Sequence, residues 1–309
     1  MPIFDINKGK LVDSRSGKSR VEELTEQFIK KDIYAGLKDY HQLIDALLYL
    51  NQAIVEAGIK FQDWERYSET LLLKFALPGL TLHETLSGLE LKSKYFKDLS
   101  GVRLVDLSSI KTILRSQFET FLMYRHIYVH PKSDDEKKLR HYTWIYSSLL
   151  QRQSFPTGSE SSQRQKQNDQ EALLKLKVII QGLESFKLLS TKQQTSLFKT
   201  GTSKLFKNWS TIIEEVRFSD VYNFPVMYNY LSMYTHSEGL SALQLKDSGM
   251  DYKTNIPLIY LDLDIARTLT CGMIKSLVEN YKCIEIRYHT LPIFLQYDIN
   301  FYYNKAFIR

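Results

Sequence analysis

The sequence predicts an all-α protein, an irregular multi-helix bundle of about eight to eleven helices around one central apolar helix. Helix breakers are scarce, with 13 Gly and 7 Pro among 309 residues, whereas 16 Phe and 20 Tyr add to many long aliphatic side chains. This composition favours helices over a turn-rich β architecture. Hydrophobic residues make up 43% of the chain, which is enough for a sizeable core.

The chain is expected to form one helical domain, residues 21–284, between two ends of different character. Residues 1–20 are basic and contain Gly and Ser, which predicts a flexible arm. Residues 154–169 are polar, carry Pro and Gly and lack apolar periodicity, so they predict an exposed loop. Residues 285–309 are an aromatic tail that we expect to pack on the domain.

The N-terminal half divides into helices at its capping residues and breakers. Residues 21–57 predict one long helix, or two helices broken near Gly36, with Gly58 as the stop. The other helices expected in this half are 61–77, which stops at Pro78-Gly79, then 80–91, then 107–129, which Pro131 ends, and 134–153, which Ser133 caps.

The C-terminal half is expected to be helical over most of its length. One loop is predicted around Gly239 and Gly249, because glycine interrupts the apolar pattern there. The expected helical segments are 170–189, a broken region as far as 213, then 219–235 behind a Ser219 cap, and 256–281 with Pro257 in its first turn.

Several classes of protein are disfavoured by what the sequence lacks. No basic region leads into an apolar run at the N-terminus, and no stretch approaches the ~20 apolar residues that span a bilayer. A cytoplasmic protein without a membrane partner is therefore expected. Cys271 and Cys283 have no partners at zinc spacing, and the GxGxxG, Walker, GxSxG and HExxH motifs are absent, so no metal and no cofactor is predicted. The net charge of +6 permits binding to nucleic acid without requiring it.

The helix predicted at 107–129 is apolar round most of its circumference but carries one polar stripe. At 100° per residue, Arg115, Glu119 and His126 fall within about 40° of one another. Arg115 and Glu119 are four residues apart and can form an ion pair. The stripe is either a solvent face or structural ion pair, or a site in which arginine holds an anion and histidine or glutamate moves a proton.

A second polar group stands at the end of the helix predicted at 219–235. Ser232 and His236 are four residues apart and share a helix face with Tyr228. The pair could act as nucleophile and base, or the histidine could close the helix C-terminus. Because polar groups buried separately would lack partners, we expect His236 to lie close to Arg115 and Glu119.

The order of these residues along the chain resembles a family of uncharacterised, all-helical bacterial proteins, a domain of unknown function. The resemblance spans residues 106–266. It rests on Arg115-Ser-x-x-Glu119, Asp135-Glu136-Lys-x-x-Arg140 and Ser232-x-x-x-His236-Ser237. It implies an all-helical fold and carries no known activity.

The leading hypothesis is an internal ligand-binding site whose ligand is a small anion or a phosphate of RNA. Its predicted residues are Arg115, Glu119, Arg140 and His236, with His126 and Ser232 as further candidates. The alternative is a non-enzymatic interaction or structural protein in which these residues only fix helix packing. The sequence leaves open whether the protein is an enzyme, and a homodimer is compatible with it.

A third hypothesis comes from the end of the 107–129 helix. Arg125 and His130 fit an Arg-x4-His pattern that resembles the signature of the HEPN superfamily, helical domains that include metal-independent ribonucleases. The resemblance implies that Arg125 contacts the RNA phosphate and that His130 assists attack by the 2′-hydroxyl. In a regular α-helix, however, the two side chains would point about 140° apart.

Overall fold

The structure, a computed structural model, describes residues 3–5, 10–12, 19–58, 61–95, 101–236 and 239–307. Over these residues the chain is helical apart from two small pairs of strands, which confirms the all-α class. The described residues contain fourteen α-helices and one π-helical turn, more than the sequence predicts. The chain divides into two compact units, the first comprising Met1–Ile59, Leu71–Phe121 and Arg217–Arg309, and the second comprising Lys60–Thr70 and Leu122–Val216.

The first unit contains the two strand pairs and the longest helices. Strand β1 pairs antiparallel with β2, and β3 pairs antiparallel with β4. The elements are β1 Ile3–Asp5, β2 Lys10–Val12, α1 Arg20–Lys30, α2 Ile33–Glu56, α3 Ser68–Leu86 (from Leu71 onward), β3 Leu89–Glu90, β4 Arg103–Leu104, α4 Leu107–Tyr124 (as far as Phe121), and, after the second unit, α10 Phe224–Thr235, α11 Gly239–Ser248, α12 Ile256–Asn280, α13 Lys282–Tyr288 and α14 Ile293–Ala306.

Helix α12 forms the core of the first unit. It packs against α2 and α14, and seventeen of its 25 residues are buried. Pro257 lies in its first turn, as predicted, where its missing N–H would have had no helical partner. Gly36 of α2 faces this helix, and a Cβ added there would lie 2.8 Å from Cδ2 of Leu263. Gly36 therefore allows close packing of two helices and does not break α2.

The second unit is built around helix α5. Its elements are the end of α4, the π-helical turn Arg125–Val129, α5 Asp134–Gln153, α6 Glu160–Gly182, α7 Glu184–Lys187, α8 Thr191–Thr200 and α9 Trp209–Val216. Helix α5 packs against α6, α7 and α8. Their shared core is Leu139, Tyr146, Leu173, Ile180, Phe186 and Leu197. Ser133 caps α5 as predicted, since its side chain accepts a hydrogen bond from Glu136 N.

Several predicted helix boundaries in the N-terminal half are wrong, since α3 begins at Ser68 rather than at 61 and ends at Leu86 rather than at 91. Residues 21–57 form two helices, one of the two predicted alternatives, but the break comes at Lys31 and Asp32 and not at Gly36. Lys31 adopts a left-handed conformation there, and Asp32 caps α2. Pro78 does not end a helix but lies inside α3. Leu71 and Leu72 before it and Leu82 and Leu86 after it are all buried, and this burial outweighs the loss of one backbone hydrogen bond.

Three segments in the C-terminal half are more helical than the sequence predicts. Residues 160–169 form the first part of α6 behind a capping box made by Ser159 and Ser162, so only 154–159 is the exposed connection. Gly239 begins helix α11. The segment after Tyr281 forms α13 and α14, and Leu295, Ile299 and Tyr302 of α14 are buried. Asn223, rather than Ser219, caps α10.

Most of the predicted N-terminal arm lies outside the described residues. Within it, Ile3–Asp5 and Lys10–Val12 form the pair of β1 and β2. Arg20 is not part of a flexible arm, because it begins α1 and its guanidinium lies 2.9 Å and 2.5 Å from the two carboxylate oxygens of Asp298. Asp298 is 1% exposed, so this ion pair anchors α1 to α14.

The segment predicted as a helix at 107–129 is strongly buried. Ile110, Leu114, Phe118 and Phe121 have no exposed surface, which confirms the predicted apolar face. Its position at the centre of the whole fold stays a prediction. The α-helix ends at Tyr124, and the chain continues as the π-helical turn, which sequence periodicity does not predict. No helix among the described residues is long and apolar enough to cross a membrane.

Candidate functional site

In the first unit, Arg115 of α4 lies at the centre of a polar group that we call the Arg115 cluster: Arg115, Glu119, Tyr228 and His236. The Nε atom of Arg115 donates to Glu119 Oε1 at 3.0 Å, and Nη2 donates to the Tyr228 hydroxyl at 3.3 Å. The remaining contact joins Arg115 Nη1 to His236 Nε2 at 3.2 Å. The expected proximity of His236 to Arg115 and Glu119 is therefore confirmed, and every nitrogen of the guanidinium has a partner in the cluster.

Tyr228 links the two helices that carry the Arg115 cluster. Its hydroxyl donates to Glu119 Oε1 at 2.9 Å, so one carboxylate oxygen accepts from both Arg115 and Tyr228. Burial, and then the Glu119 carboxylate, raise the pKa of Tyr228 to about 12. Burial lowers the pKa of Arg115, but Tyr228 and Glu119 outweigh it, so the pKa of Arg115 is raised. Both groups keep their protons at neutral pH, and the tyrosine remains a donor.

Exposure differs sharply within the Arg115 cluster. The side chain of Arg115 is 15% exposed and that of Glu119 is 29% exposed, whereas His236 is an exposed residue. His236 is the C-cap of α10, and its backbone N–H donates to Ser232 O at 3.1 Å. The Ser232 hydroxyl donates to Tyr228 O at 2.9 Å. Within the described contacts, Ser232 thus binds the helix backbone, and His236 closes the helix.

Arg140 and His126 belong to the second unit, where they contact each other. Arg140 Nη1 donates to the His126 carbonyl at 2.7 Å and also lies 3.0 Å from His126 Nδ1. Arg140 Nη2 donates to Glu136 Oε1 at 2.5 Å. Glu215 Oε2 lies 3.2 Å from the same His126 Nδ1, and Lys207 also pairs with Glu215. Because arginine only donates and a carboxylate only accepts, His126 Nδ1 can form one of its two side-chain hydrogen bonds at a time.

The π-helical turn brings Arg125 and His130 together. Arg125 Nε donates to His130 Nε2 at 3.1 Å, and the His130 backbone N–H donates to Arg125 O at 2.9 Å. The wider π-helical turn closes a hydrogen bond over five residues instead of four. The separation of about 140° expected for a regular α-helix therefore does not apply to this pair.

Both histidines of this turn are held in the neutral form. Burial, and then the positive charge of Arg125, lower the pKa of His130 to about 3. Burial also lowers the pKa of His126, which Arg140 lowers further and Glu215 opposes. His130 Nδ1 and His126 Nε2 are buried and have no hydrogen-bond partner among the described residues. We assign the His130 proton to Nδ1, because Nε2 accepts from Arg125.

The structure thus distributes the predicted site residues over two groups. Arg115, Glu119 and His236 meet in the first unit, while Arg140 and His126 share Glu215 in the second. Tyr228 and Glu215 were not predicted as members of these groups. The spacing of Tyr228, Ser232 and His236 by four residues was a usable signal for Tyr228. Nothing in the local sequence of Glu215 indicates its role, because its partners are distant in the chain.

An ion pair inside the first unit was also not predicted from the sequence. Lys111 of α4 and Asp262 of α12 are both fully buried. Asp262 is one of the charged residues that interrupt an otherwise apolar helix sequence, which was its only signal. Neither side chain is exposed, so the pair stabilises packing and offers no surface to a ligand.

Comparison of the chain with protein-family models, with curated proteins and with solved structures finds no match. The resemblances to a family of helical bacterial proteins and to the HEPN superfamily therefore stay predictions. Among the described residues, no group of three or more His, Cys, Asp or Glu side chains could hold a metal ion.

Proposed function

We propose that the protein binds an anion, a small phosphate or carboxylate compound or a phosphate of RNA, at the Arg115 cluster. One observation carries this proposal: the guanidinium of Arg115 is held by the buried Tyr228 and the partly buried Glu119, while its third partner, His236, is exposed. An anion that displaces the imidazole gains a guanidinium already fixed in position. Arginine fixed in this way binds oxyanions strongly because little side-chain freedom is lost on binding.

The roles of the residues follow from their hydrogen bonds. Glu119 and Tyr228 position the Arg115 side chain, and Arg115 Nη1 binds the anion. His236 contacts this nitrogen when no ligand is bound, and the N–H of its imidazole can donate a second hydrogen bond to an anion. Arg140, which hydrogen-bonds His126 and Glu136 in the second unit, is not needed for this proposal.

Thermal unfolding of the full chain with and without inorganic phosphate tests the proposal. Phosphate should raise the Tm of the wild type, and Arg115→Gln should remove most of this increase, because a ligand stabilises only the state that binds it. The matched control is Arg287→Gln, since Arg287 of the first unit also pairs with a glutamate, Glu56, and donates to a tyrosine, Tyr49. If Arg115→Gln lowers the Tm but leaves the phosphate-induced increase unchanged, the cluster only fixes helix packing.

The π-helical turn favours a second function, metal-independent cleavage of RNA. His130 Nε2 is the acceptor nitrogen of a neutral imidazole, 3.1 Å from Arg125 Nε. If an RNA phosphate draws Arg125 away, this nitrogen becomes able to take the proton of the 2′-hydroxyl. The 2′-oxygen would then form a bond to phosphorus, and the proton would pass to the departing 5′-oxygen. The products would be a 2′,3′-cyclic phosphate and a 5′-hydroxyl.

An RNA cleavage assay in the presence of EDTA tests this second function. The wild type should cleave a labelled single-stranded RNA but not the same sequence as DNA, and His130→Gln should lower the rate by about 100-fold or more. His141→Gln is the matched control, because His141 is also buried in the second unit and burial lowers its pKa to about 4. Equal losses in both variants, or no cleavage by the wild type, would refute it.

A further inference from the structure

An open cavity of about 570 Å³ lies in the first unit, beside the N-terminal ends of α2 and α12. Its walls come from residues 31–34, 101–103 and 251–253, together with Ile256. This volume is in the range that takes up a small organic molecule. No residue of the Arg115 cluster lines it, so the cavity is a separate feature of this unit.

Arg103 is fixed between two aromatic rings in this cavity. Its Cζ atom lies 4.6 Å from the ring centre of Tyr252 and 5.7 Å from that of Tyr34. Its Nη1 donates to the Tyr34 hydroxyl at 2.8 Å. Gly88 makes room for this arrangement, since a Cβ added there would lie 2.7 Å from the Tyr252 ring and 2.9 Å from Arg103 Nε. The backbones of Arg103 and Tyr252 are also joined, because Tyr252 N donates to Arg103 O at 3.2 Å.

Of the two tyrosine rings beside Arg103, one is exposed to solvent. Tyr34 is 68% exposed, whereas Tyr252 is 6% exposed and donates its hydroxyl to Leu86 O. The exposed ring of Tyr34, which the Arg103 guanidinium holds, offers a planar surface on which a nucleobase stacks. Ile33, Val102 and Ile256 add apolar wall to the same cavity.

The charges around the cavity suit the rest of a nucleotide. Lys31 and Lys253 are exposed and line the cavity. The ammonium group of a lysine is a compact charge on a flexible stem, which suits contact with a phosphate. Asp32 accepts from Ala35 N at 3.0 Å and Asp251 from Thr254 N at 2.8 Å, so both carboxylates are held in place by the backbone. A carboxylate keeps lone pairs for further donors, and ribose hydroxyls are donors of the right kind.

From this arrangement we infer that the cavity binds a ribonucleoside monophosphate. The base stacks on Tyr34, which Arg103 holds in place, the ribose hydroxyls donate to Asp32 or Asp251, and the phosphate contacts Lys31 and Lys253. This inference does not depend on the anion site at Arg115 or on RNA cleavage at His130.

Calorimetric titration of the full chain with adenosine 5′-monophosphate tests the inference. We expect binding in the wild type and a Kd raised at least about tenfold in Arg103→Ala, because the Tyr34 ring that stacks on the base loses the guanidinium that holds it. Lys253→Glu should also raise the Kd, and it changes an exposed side chain that the fold does not require. Arg287→Ala is the matched control, since Arg287 Cζ lies 5.1 Å from the Tyr49 ring centre and its Nη1 donates to that tyrosine's hydroxyl at 3.1 Å. It should bind as the wild type does.

Two further titrations assign the contributions of base and phosphate. In an Arg115→Gln background, which removes the proposed anion site, adenosine and inorganic phosphate should each bind more weakly than the nucleotide, and Lys253→Glu should weaken phosphate binding but not adenosine binding. No binding of the nucleotide at millimolar concentration would overturn the inference. So would an unchanged Kd in both Arg103→Ala and Lys253→Glu, or an equal loss in Arg287→Ala.

Discussion

Lys111 Nζ lies 2.9 Å and 2.7 Å from the two carboxylate oxygens of Asp262, and neither side chain has any exposed surface. The ammonium group also lies 4.9 Å and 5.2 Å from the ring centres of Tyr230 and Tyr234. This ion pair joins α4 to α12 in the core of the first unit. Among the described residues, each charge is compensated by the other, and the ammonium charge also by the electron-rich ring faces, so each partner is needed while the other is present.

Removing one partner of this pair should destabilise the protein strongly. Lys111→Met leaves a buried carboxylate without its cation, and we expect the free energy of unfolding to fall by about 3–5 kcal/mol. The double change Lys111→Met with Asp262→Leu removes both charges and should cost less than Lys111→Met alone. Urea unfolding measures both values. A double variant less stable than the single variant would contradict this account.

Glu119 and Tyr228 should be energetically coupled. Their side chains share a hydrogen bond of 2.9 Å, and both also bind Arg115. A double-mutant cycle with Glu119→Gln and Tyr228→Phe should give a coupling energy of about 0.5–1.5 kcal/mol. Glu119 and His236 are joined only through Arg115, so the same cycle with His236→Asn should give a smaller value. Additive effects in the first cycle would mean that the hydrogen bond does not form in solution.

The protein should lose stability as the pH falls below about 6.5. The pKa of His130 is lowered to about 3 in the folded state, mainly by burial and then by Arg125. The unfolded chain therefore binds a proton between these pH values that the folded chain does not, so the free energy of unfolding falls with falling pH. His130 alone would contribute a loss of about 3 kcal/mol by pH 4. His130→Gln should flatten this pH dependence of urea unfolding, and an unchanged slope would contradict the burial of the imidazole.

Gly272 of α12 should not tolerate a side chain. A Cβ added there would lie 2.6 Å from Cζ of Phe307 and 3.1 Å from the Phe121 ring. Gly272→Ala is expected to lower the free energy of unfolding by about 1–3 kcal/mol, because the two rings must move. The control is Gly182→Ala at the end of α6, where nothing lies within 4 Å of the added atom. It should be neutral or slightly stabilising, since alanine favours helix.

The exposed loop before α6 and the first part of α6 should differ in how much they contribute to stability. Deletion of residues 156–158 removes only exposed, non-helical chain and should leave the Tm nearly unchanged. Deletion of 160–169 removes Asp169, which is 3% exposed and accepts from Arg152 Nε at 2.5 Å, and should lower the Tm clearly. Thermal unfolding followed by circular dichroism measures the Tm of both variants. Equal tolerance of the two deletions would mean that the whole polar segment is dispensable.

The sequence by itself determined the helical class, the apolar face of residues 107–129, the cap at Ser133 and the pairing of Arg115 with Glu119. Each of these depends on neighbours within four or five residues, where side-chain spacing and backbone hydrogen bonding act directly. The contact between Arg115 and His236 was also predictable, because buried polar groups need partners and few were available.

Only the tertiary structure decided that Pro78 lies inside a helix, that α4 changes to a π-helical turn at Arg125, and that Arg140 pairs with His126 and Glu215 rather than with the Arg115 cluster. Packing around α3 outweighs the local preference of proline, and the π-helical turn joins two side chains that a regular helix would separate. Glu215 and His126 are 89 positions apart in the chain. Such a pairing depends on how the helices pack and cannot be predicted from a local sequence pattern.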